Sequence, residues 1–348
     1  MKLIVLGGGD LARRVIALLP VVPALREILL VTRDVERGEP LARLFGGCLP
    51  AVVRHVGLDL SDAHGVVALL RRERPDIVFH AASVLSPWLL PAIDSGLSHA
   101  LRSAGFGLML PAQLPLIRNV MRAVRDLGLT CPVVNASYPD ATHAVLAAEG
   151  LQPTIGVGNA GMLHDTLRGE LRARRITATI RLFAHHAQVT PFARHEGYTP
   201  GESPWLFLDD QTAPIDSFVT GPLPQGSMLN ALTAAHAVAI VGALIGDGKV
   251  MHTSAPGPLG LPGGWPVSVS SDGVSLDLPP HVDIDAGLAY QTRAAIGDGI
   301  ASIDADGTVH YTSAAQASLA PHAPRLAESL FSSDEAPRLA ELIERLAA

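Results

Sequence analysis

Lysine is nearly missing from this sequence: Lys2 and Lys249 are its only examples, and arginine carries the remaining positive charge. None of the four tyrosines, Tyr138, Tyr198, Tyr290 and Tyr311, has a lysine four residues on. Proton transfer by a tyrosine activated by such a lysine is therefore excluded, and chemistry through a lysine imine has poor support. Cysteine is equally scarce. Cys48 and Cys131 are too few for a disulfide scaffold and suit a reducing compartment. Aromatic residues make up 4% of the chain, so Ala, Leu and Val must fill the core. The net charge is -7 and no long basic run occurs, so nucleic acid is not an expected partner. Long apolar runs are absent too. The opening "MKLIVLGGGD" breaks at Gly7, too early for a signal peptide. The stretch Ala235–Gly246 is shorter than a bilayer span and reads as a core helix. A soluble cytoplasmic protein with no membrane partner is the expectation.

What remains is a chain of 348 residues with 48% hydrophobic and 17% charged residues, the profile of a well-buried globular protein of about two domains. Through the first 140 or so residues, short apolar runs alternate with amphipathic helical patterns. "KLIVLGG", "EILLVTRD", "AVVRHVGLDL", "PDIVFHAAS" and "CPVVNASYPD" read as five strands. Continuous apolar strands separated by helices indicate a parallel sheet covered on both faces. After residue 150 the texture changes. "ITATIRLFAHHAQVTP" alternates like an antiparallel strand, a Pro/Gly-rich stretch follows from Thr199 to Gly226, and a helix is expected over Met228 to Ile245. "PVSVSSDGVSLDLP" and "ASIDADGTVHYT" each read as a hairpin with Asp-Gly in or near the turn. A helical tail, "DEAPRLAELIERLAA", closes the chain. The expected architecture is α/β: a Rossmann-type parallel-sheet domain over residues 1–153, then an α+β domain over residues 154–348.

"GGGDLA" supplies Gly7-x-Gly9-x-x-Ala12 between a strand and a helix, the context that a dinucleotide-binding turn requires. Gly7 permits the tight turn, Gly9 removes a side chain where a pyrophosphate must approach, and Ala12 allows close helix–strand packing. The first helical N–H groups, around Asp10 and Leu11, would face the phosphates. An Asp or Glu at the end of strand two would bind the ribose of NAD, whereas an arginine nearby accommodates the extra phosphate of NADP. Here that strand ends in Thr32 and Arg33, with Asp34 as the acid only if the register slips by one. NADP is favoured over NAD. Ala81 and Ala82 after strand four, and Asn135 at the end of strand five, complete the expected cofactor contacts.

"PDIVFHAAS" resembles the fourth strand of extended short-chain dehydrogenases, but the Tyr-x-x-x-Lys pair of those enzymes is missing. A longer, ordered set of stretches resembles the lactate and malate dehydrogenases. "GVGNAGMLHDTLRGEL" is similar to their Gly-x-Gly-Thr-x-Leu-Asp-x-x-Arg segment, "FAHHAQVTP" to their Gly-Glu-His-Gly-Asp-Ser strand end, and "VVNASYPD" to their Ser-Asn-Pro-Val-Asp stretch. "HTSAPGPLGLPGGWPVSVSSDGVSLDLP" is similar to their late hairpin. The resemblance implies that His186 is the proton donor to a substrate carbonyl, that Asp165 orients it, and that Arg168 grips a substrate carboxylate. It also implies that Asn135 or Ser137, with Asn135 preferred, hydrogen-bonds the substrate. His185 would face the opposite side of its strand, and a shift of one residue would exchange its role with that of His186. A metal site built on His185, His186 and His195 lacks Cys or Glu spacing, so no metal is expected. Asp140 reads as a helix N-cap.

The family's mobile loop after strand four carries arginines. Here "ASVLSPWLLPAIDSGLSHALRSAGFGLML" has none near the strand and is rich in Leu, Pro, Trp and Gly, with Trp88, Leu89 and Leu90 placed to cover an apolar substrate. The expected reaction is hydride transfer between NADP(H) and a carbonyl or hydroxyl of a 2-oxo or 2-hydroxy acid-like small molecule, bulkier than pyruvate. The resemblance also implies a homodimer. The alternative from another class is a nucleotide-sensing or scaffold protein that keeps the dinucleotide site without catalysis.

Overall fold

The computed structural model describes residues 1–348 except 94, 199–201, 220, 224–225, 247, 331–334 and 348, and at a few further positions, Trp88 among them, the side chain is not described. Six parallel strands form the central sheet: β1 (Lys2–Leu6), β2 (Glu27–Thr32), β3 (Val52–Gly57), β4 (Ile77–His80), β5 (Val133–Asn135) and β6 (Ile155–Gly156). Their order is β3-β2-β1-β4-β5-β6, with the crossover between the two halves beside β1. This is the doubly wound arrangement in which a ligand site opens at the carboxyl ends of the strands where the order reverses. The sequence reading had five of these strands. The sixth is two residues long and falls just beyond the expected division at residue 153, so the sheet ends three residues later than that boundary.

Strand alternation sorts the core. Ile4, Leu6, Leu29, Val31, Val78 and Val133 pack on one face, with α3 (Ala63–Glu73) and α5 (Leu110–Asp126). Leu3, Val5, Ile28, Leu30, Phe79 and Val134 pack on the other, with α1 (Asp10–Leu18), α2 (Val35–Cys48) and α9 (Asn230–Leu244). Both faces are apolar because both are covered, as parallel sheets require. Helix α6 (Pro139–Ala148) begins with proline at a position whose missing N–H costs nothing, and α7 (Asn159–Ala173) follows β6.

The second half is α+β. Strands β7 (Ile180–Phe183), β8 (Trp205–Leu208) and β9 (Gln211–Ala213) form one antiparallel sheet, and β10 (Met251–Pro256), β11 (Gly264–Ser270) and β12 (Gly273–Leu276) form another. A bridge between Ala184 and Gly264 joins them. Both Asp-Gly turns close hairpins, β11–β12 and β13 (Ile300–Ile303)–β14 (Val309–Tyr311). Helix α10 (Ile284–Ala295), absent from the sequence reading, lies between them. The last elements return to the first half: α11 (Ser313–Leu319) packs on α4 (Gly96–Ala104), and α13 (Glu335–Ala347) on α5. Residues Gly226–Leu244, which include α9, form a helix long and apolar enough to cross a membrane, longer than the apolar stretch taken from the sequence. Half of that window is buried, with α9 against α1 and α7, as a core helix would be.

Candidate active site

The turn after β1 carries the geometry its glycines suggest. Gly7 has φ +113, and a Cβ there would lie 2.7 Å from the Ala81 carbonyl oxygen. That approach and that dihedral both demand glycine. At Gly9 a Cβ would meet nothing within 4 Å, because it faces open space. Helix α1 starts one residue later with no side chain capping it, and the first intrahelical acceptor, the Gly9 carbonyl, takes the Arg13 N–H. The N–H groups of Asp10, Leu11 and Ala12 therefore have no helical acceptor, and the helix end carries about half a positive charge. The Asp10 carboxylate is turned aside, held by Arg14 at 2.8 Å and by the Asn230 amide at 3.0 Å; these contacts, with the first outweighing the cost of burial, lower its pKa. Ala12 is fully buried and seats the helix on the sheet. These residues fit a dinucleotide pyrophosphate.

From this turn a cavity of 1160 Å³ runs past the ends of β2, β3, β4 and β5 to the tip of β7. Its β2 end is lined by Thr32, Arg33, Asp34 and Arg37, and Ala81 and Ala82 line its middle. The Thr32 hydroxyl donates to the Asp34 carbonyl at 2.8 Å and lies 2.8 Å from His55 Nε2. Asp34 is the N-cap of α2: its carboxylate accepts the Arg37 N–H at 3.1 Å and pairs with the Arg37 guanidinium. The acid nearest the ribose position is thus committed to a helix end, while Arg33 is exposed at the rim.

The far end of the cavity holds His186, Asp298, Tyr138 and Asn159. His186 follows β7, and its Nδ1 lies 2.8 and 3.0 Å from the two oxygens of Asp298, just after α10. The imidazole also lies against Phe106, with centroids 4.5 Å apart. Asp298 Oδ2 accepts the Tyr138 hydroxyl at 2.9 Å. The pair polarises itself. Burial pulls the His186 pKa down, but the Asp298 charge and hydrogen bond outweigh it, and the net shift is upward. For Asp298, burial works toward the neutral acid, yet His186, His185 and the Tyr138 hydroxyl together lower its pKa. With Nδ1–H given to the carboxylate, Nε2 is left to the cavity. Asp140 is buried behind the site, its Oδ1 accepting the His186 backbone N–H at 2.9 Å and its Oδ2 the Asn159 amide. It lies inside α6 and ties three elements together, so the N-cap reading is corrected.

Four further expectations need correction. Asp165 does not orient His186. It pairs with Arg168 at 3.0 Å on α7, and neither residue lines the cavity. The physical reason lies in the spacing. Counted from Gly156 and Gly158, the Gly-x-Gly-Thr-x-Leu-Asp-x-x-Arg pattern puts its acid at Met162 and its arginine at Asp165. The observed pair sits three residues later, about 4.5 Å farther along the helix. Met162 lines the cavity instead. Arg168 is correspondingly not a substrate fork. Asn135 is fully buried and does not reach the cavity; its amide is spent on His80, Ser137, Thr142 and His143. His185 is also buried, its Nδ1 accepting the Ala187 N–H at 3.2 Å, so His186 is the histidine that faces the cavity.

Sequence reasoning passed over Asp298, Tyr138, Asn159 and Phe106. The available signal for Asp298 was the "GDG" around it. A Cβ at Gly297 would meet the Ala187 side chain at 2.9 Å, and Gly299 has φ +79 and abuts the Ala104 carbonyl oxygen. Glycines on both sides of an acid mark a crowded backbone. In the loop after β4, Leu89 and Leu90 line the cavity, and the Trp88 side chain lies outside the described residues. Among the described residues, no group of three or more His, Cys, Asp or Glu is arranged to hold a metal ion.

No protein-family model matches the sequence, and no curated protein matches it. Solved structures do match in fold. A malate dehydrogenase from Picrophilus torridus superposes with a TM-score of 0.53 at 13% identity, covering 85% of this chain and 97% of that one. A lactate dehydrogenase from a Medee basin deep-sea metagenome library gives 0.50 at 14% identity, covering 85% and 96%. A malate dehydrogenase from Salinibacter ruber gives 0.50 at 12%, covering 85% and 94%. The chain has the lactate/malate dehydrogenase-like fold, a Rossmann-type sheet followed by an α+β half.

Proposed function

We propose that the protein is a nicotinamide-dependent oxidoreductase that moves a hydride between NAD(P)(H) and a carbonyl or hydroxyl carbon, with His186 exchanging the proton. One observation carries this reading: the glycine turn and the His186–Asp298 pair open into the same cavity. The bound dinucleotide would supply or accept the hydride. The N–H groups at the start of α1 bind its phosphates. Asp298 fixes the imidazole through Nδ1 and favours the charged ring, so that Nε2 delivers a proton to the substrate oxygen during reduction and takes it back during oxidation.

The substrate end of the cavity is largely apolar, with Leu101, Phe106, Met109, Met162 and Val189 in its wall. This supports a substrate bulkier than pyruvate or oxaloacetate. A substrate carboxylate has lost the expected Arg168, but Arg102 on α4 lines the cavity, three residues before Gly105, whose backbone touches that of Asp298. An acidic group would find its counter-charge there. Arg33 and Arg37 at the β2 end, with Asp34 committed to capping, support NADP over NAD. The free cysteines fit a cytoplasmic setting, and a homodimer is the assembly we assign with this reading.

The test is NADPH and NADH oxidation against a panel of 2-oxo acids and bulkier ketones, with cofactor binding measured separately. Turnover of an apolar carbonyl substrate that His186→Gln reduces at least 100-fold, without loss of cofactor binding, is expected. Tight NADPH binding with no turnover of any substrate would instead favour a nucleotide sensor. Efficient oxaloacetate reduction with no use of bulkier substrates would overturn the substrate assignment.

A further inference from the structure

Tyr138 occupies a position that packing alone does not explain. It stands between β5 and α6 with φ +45, a left-handed conformation that is unfavourable for a bulky side chain. That conformation carries its ring against both Phe106, 4.7 Å away edge-on, and His186, 5.2 Å away edge-on. Its hydroxyl then reaches a residue 160 positions later in the chain, Asp298.

We infer that Tyr138 is a positioning residue for the proton donor: its hydroxyl pins Asp298 Oδ2 so that the carboxylate stays aligned on His186 Nδ1 and Nε2 stays aimed into the cavity. The inference rests on the proposed oxidoreductase reading for its consequence in catalysis, but not for its geometry. Asp298 Oδ2 is contested. His186 Nδ1 lies 2.8 Å from it and the Tyr138 hydroxyl 2.9 Å. Without Tyr138, Oδ2 is left to the His186 imidazole. With it, one oxygen is fixed by a donor that does not titrate in the working range, since burial first and then Asp298 and Asp140 push the phenol well up.

The hydroxyl also sets how strongly the carboxylate acts. A donor on Oδ2 withdraws part of its negative charge, which weakens its hold on the imidazolium. The groups facing His186 are few: Asp298 after α10, His185 on its own strand end, Asp140 and Tyr138 on α6, with Tyr311 behind Tyr138. Asp140 spends its oxygens on the His186 N–H and the Asn159 amide, so it does not take over the Tyr138 contact.

The test uses the full chain with Tyr138→Phe and with 3-fluorotyrosine incorporated at 138, and follows His186 by NMR titration of the ring proton beside Nε2, with no cofactor or substrate added. Tyr138→Phe is expected to raise the His186 pKa, and the more acidic fluorophenol to lower it. A role in filling space alone would move neither in opposite directions. In turnover, the pH limb should shift with the NMR value, and kcat should fall about tenfold in Tyr138→Phe while KM for the cofactor holds. Opposed NMR shifts with no oxidoreductase activity in any form would retain the positioning role and sink the functional reading. Activity in all forms with an unmoved His186 titration would sink the positioning role. Thermal melts identify a variant that fails to fold, in which case the fluorotyrosine form alone decides by its downward shift or the lack of one.

Discussion

Asp298→Asn and Asp165→Asn, made in parallel, separate the carboxylate that the fold places on His186 from the one the sequence pattern suggested. Asp298 Oδ2 serves two donors, the Tyr138 hydroxyl at 2.9 Å and His186 Nδ1 at 2.8 Å, while Oδ1 lies 3.0 Å from the same Nδ1. An asparagine has one acceptor oxygen. If that oxygen keeps Tyr138, the amide NH2 faces Nδ1, which accepts only when the ring carries its proton on Nε2 as a neutral imidazole. The charged donor is lost, and burial, the largest influence on the ring, then pulls its pKa down with only Asp140 opposing. A wrong tautomer and a neutral ring together cost about 10²–10⁴ in kcat, or roughly 3–5 kcal/mol of barrier. Among the described residues Asp165 forms its ion pair with Arg168, and it borders no part of the cavity. Its change to Asn should leave kcat within about threefold. Steady-state kinetics on a substrate found by the panel, with cofactor affinity measured by titration, provides the comparison. An Asp165→Asn enzyme that is dead beside a near-normal Asp298→Asn enzyme would refute the assignment of the pair.

The two glycines of the first turn should fail differently. Gly9→Val, which points into open space, is expected to fold with an unchanged Tm yet lose at least 30-fold in dinucleotide affinity, whereas Gly7→Val, at φ +113 and against the Ala81 carbonyl, should lower Tm or prevent folding. Acid should unfold the protein early, because four buried histidines are held neutral: burial lowers His80 and His143 to about 4 and His164 to about 3, and it lowers His236 as well. An unfolded histidine takes up its proton near 6.5, so stability falls from there downward by up to roughly 3–5 kcal/mol for each, against a total of about 5–15 for a typical domain. His186, whose pKa is raised, and Asp298, whose pKa is lowered, both hold their stabilising charge through that window, so they do not offset the loss. Equilibrium unfolding between about pH 6 and 4 with uptake of about three to four protons is the expected result, and a chain still folded at pH 3.5 would contradict it.

Local pattern was enough to read the sheet, the glycine turn and the hairpins, because each depends on residues close together. Apolar runs such as "LIVL" and "ILLV" are buried on both faces, and Gly7-x-Gly9-x-x-Ala12 sits between the strand and helix that give it meaning. The place of His186 at the cavity was legible for a related reason: it follows an alternating strand, whose end opens into the cavity. Its partner was not legible. Asp298 lies 112 residues away, on a turn behind a helix that the reading missed, and neither periodicity nor spacing reports a contact of that range. The nearer acid was attractive because Asp165 and Arg168 match the family's residue types, but type without register is weak evidence on a helix, where three residues of offset moves a side chain nearly a full turn away from a site. Tyr138 was weighed only for a lysine partner it lacks.

What α7 does with its displaced pair follows from the same offset. Gly161 leaves no side chain, and a Cβ there would overlap the His236 ring, so α9 approaches α7 closely. His236 and His164 are buried in that seam, bonded to Thr253 and Ser254 of β10 at 3.1 Å each. The Asp165 charge favours protonation of His236 while Arg168 opposes it, and burial prevails, keeping the ring neutral. The acidic turn of α7 thus sits beside a structural seam rather than the cavity, and Met162 presents an apolar surface where the related pattern would set a carboxylate. An imidazole needs only an acceptor at Nδ1, whichever element supplies it. Moving that acceptor to the α10–β13 turn takes the orienting charge off the α7 wall and leaves Met162, with Met109 and Phe106, as an apolar stretch of the cavity wall.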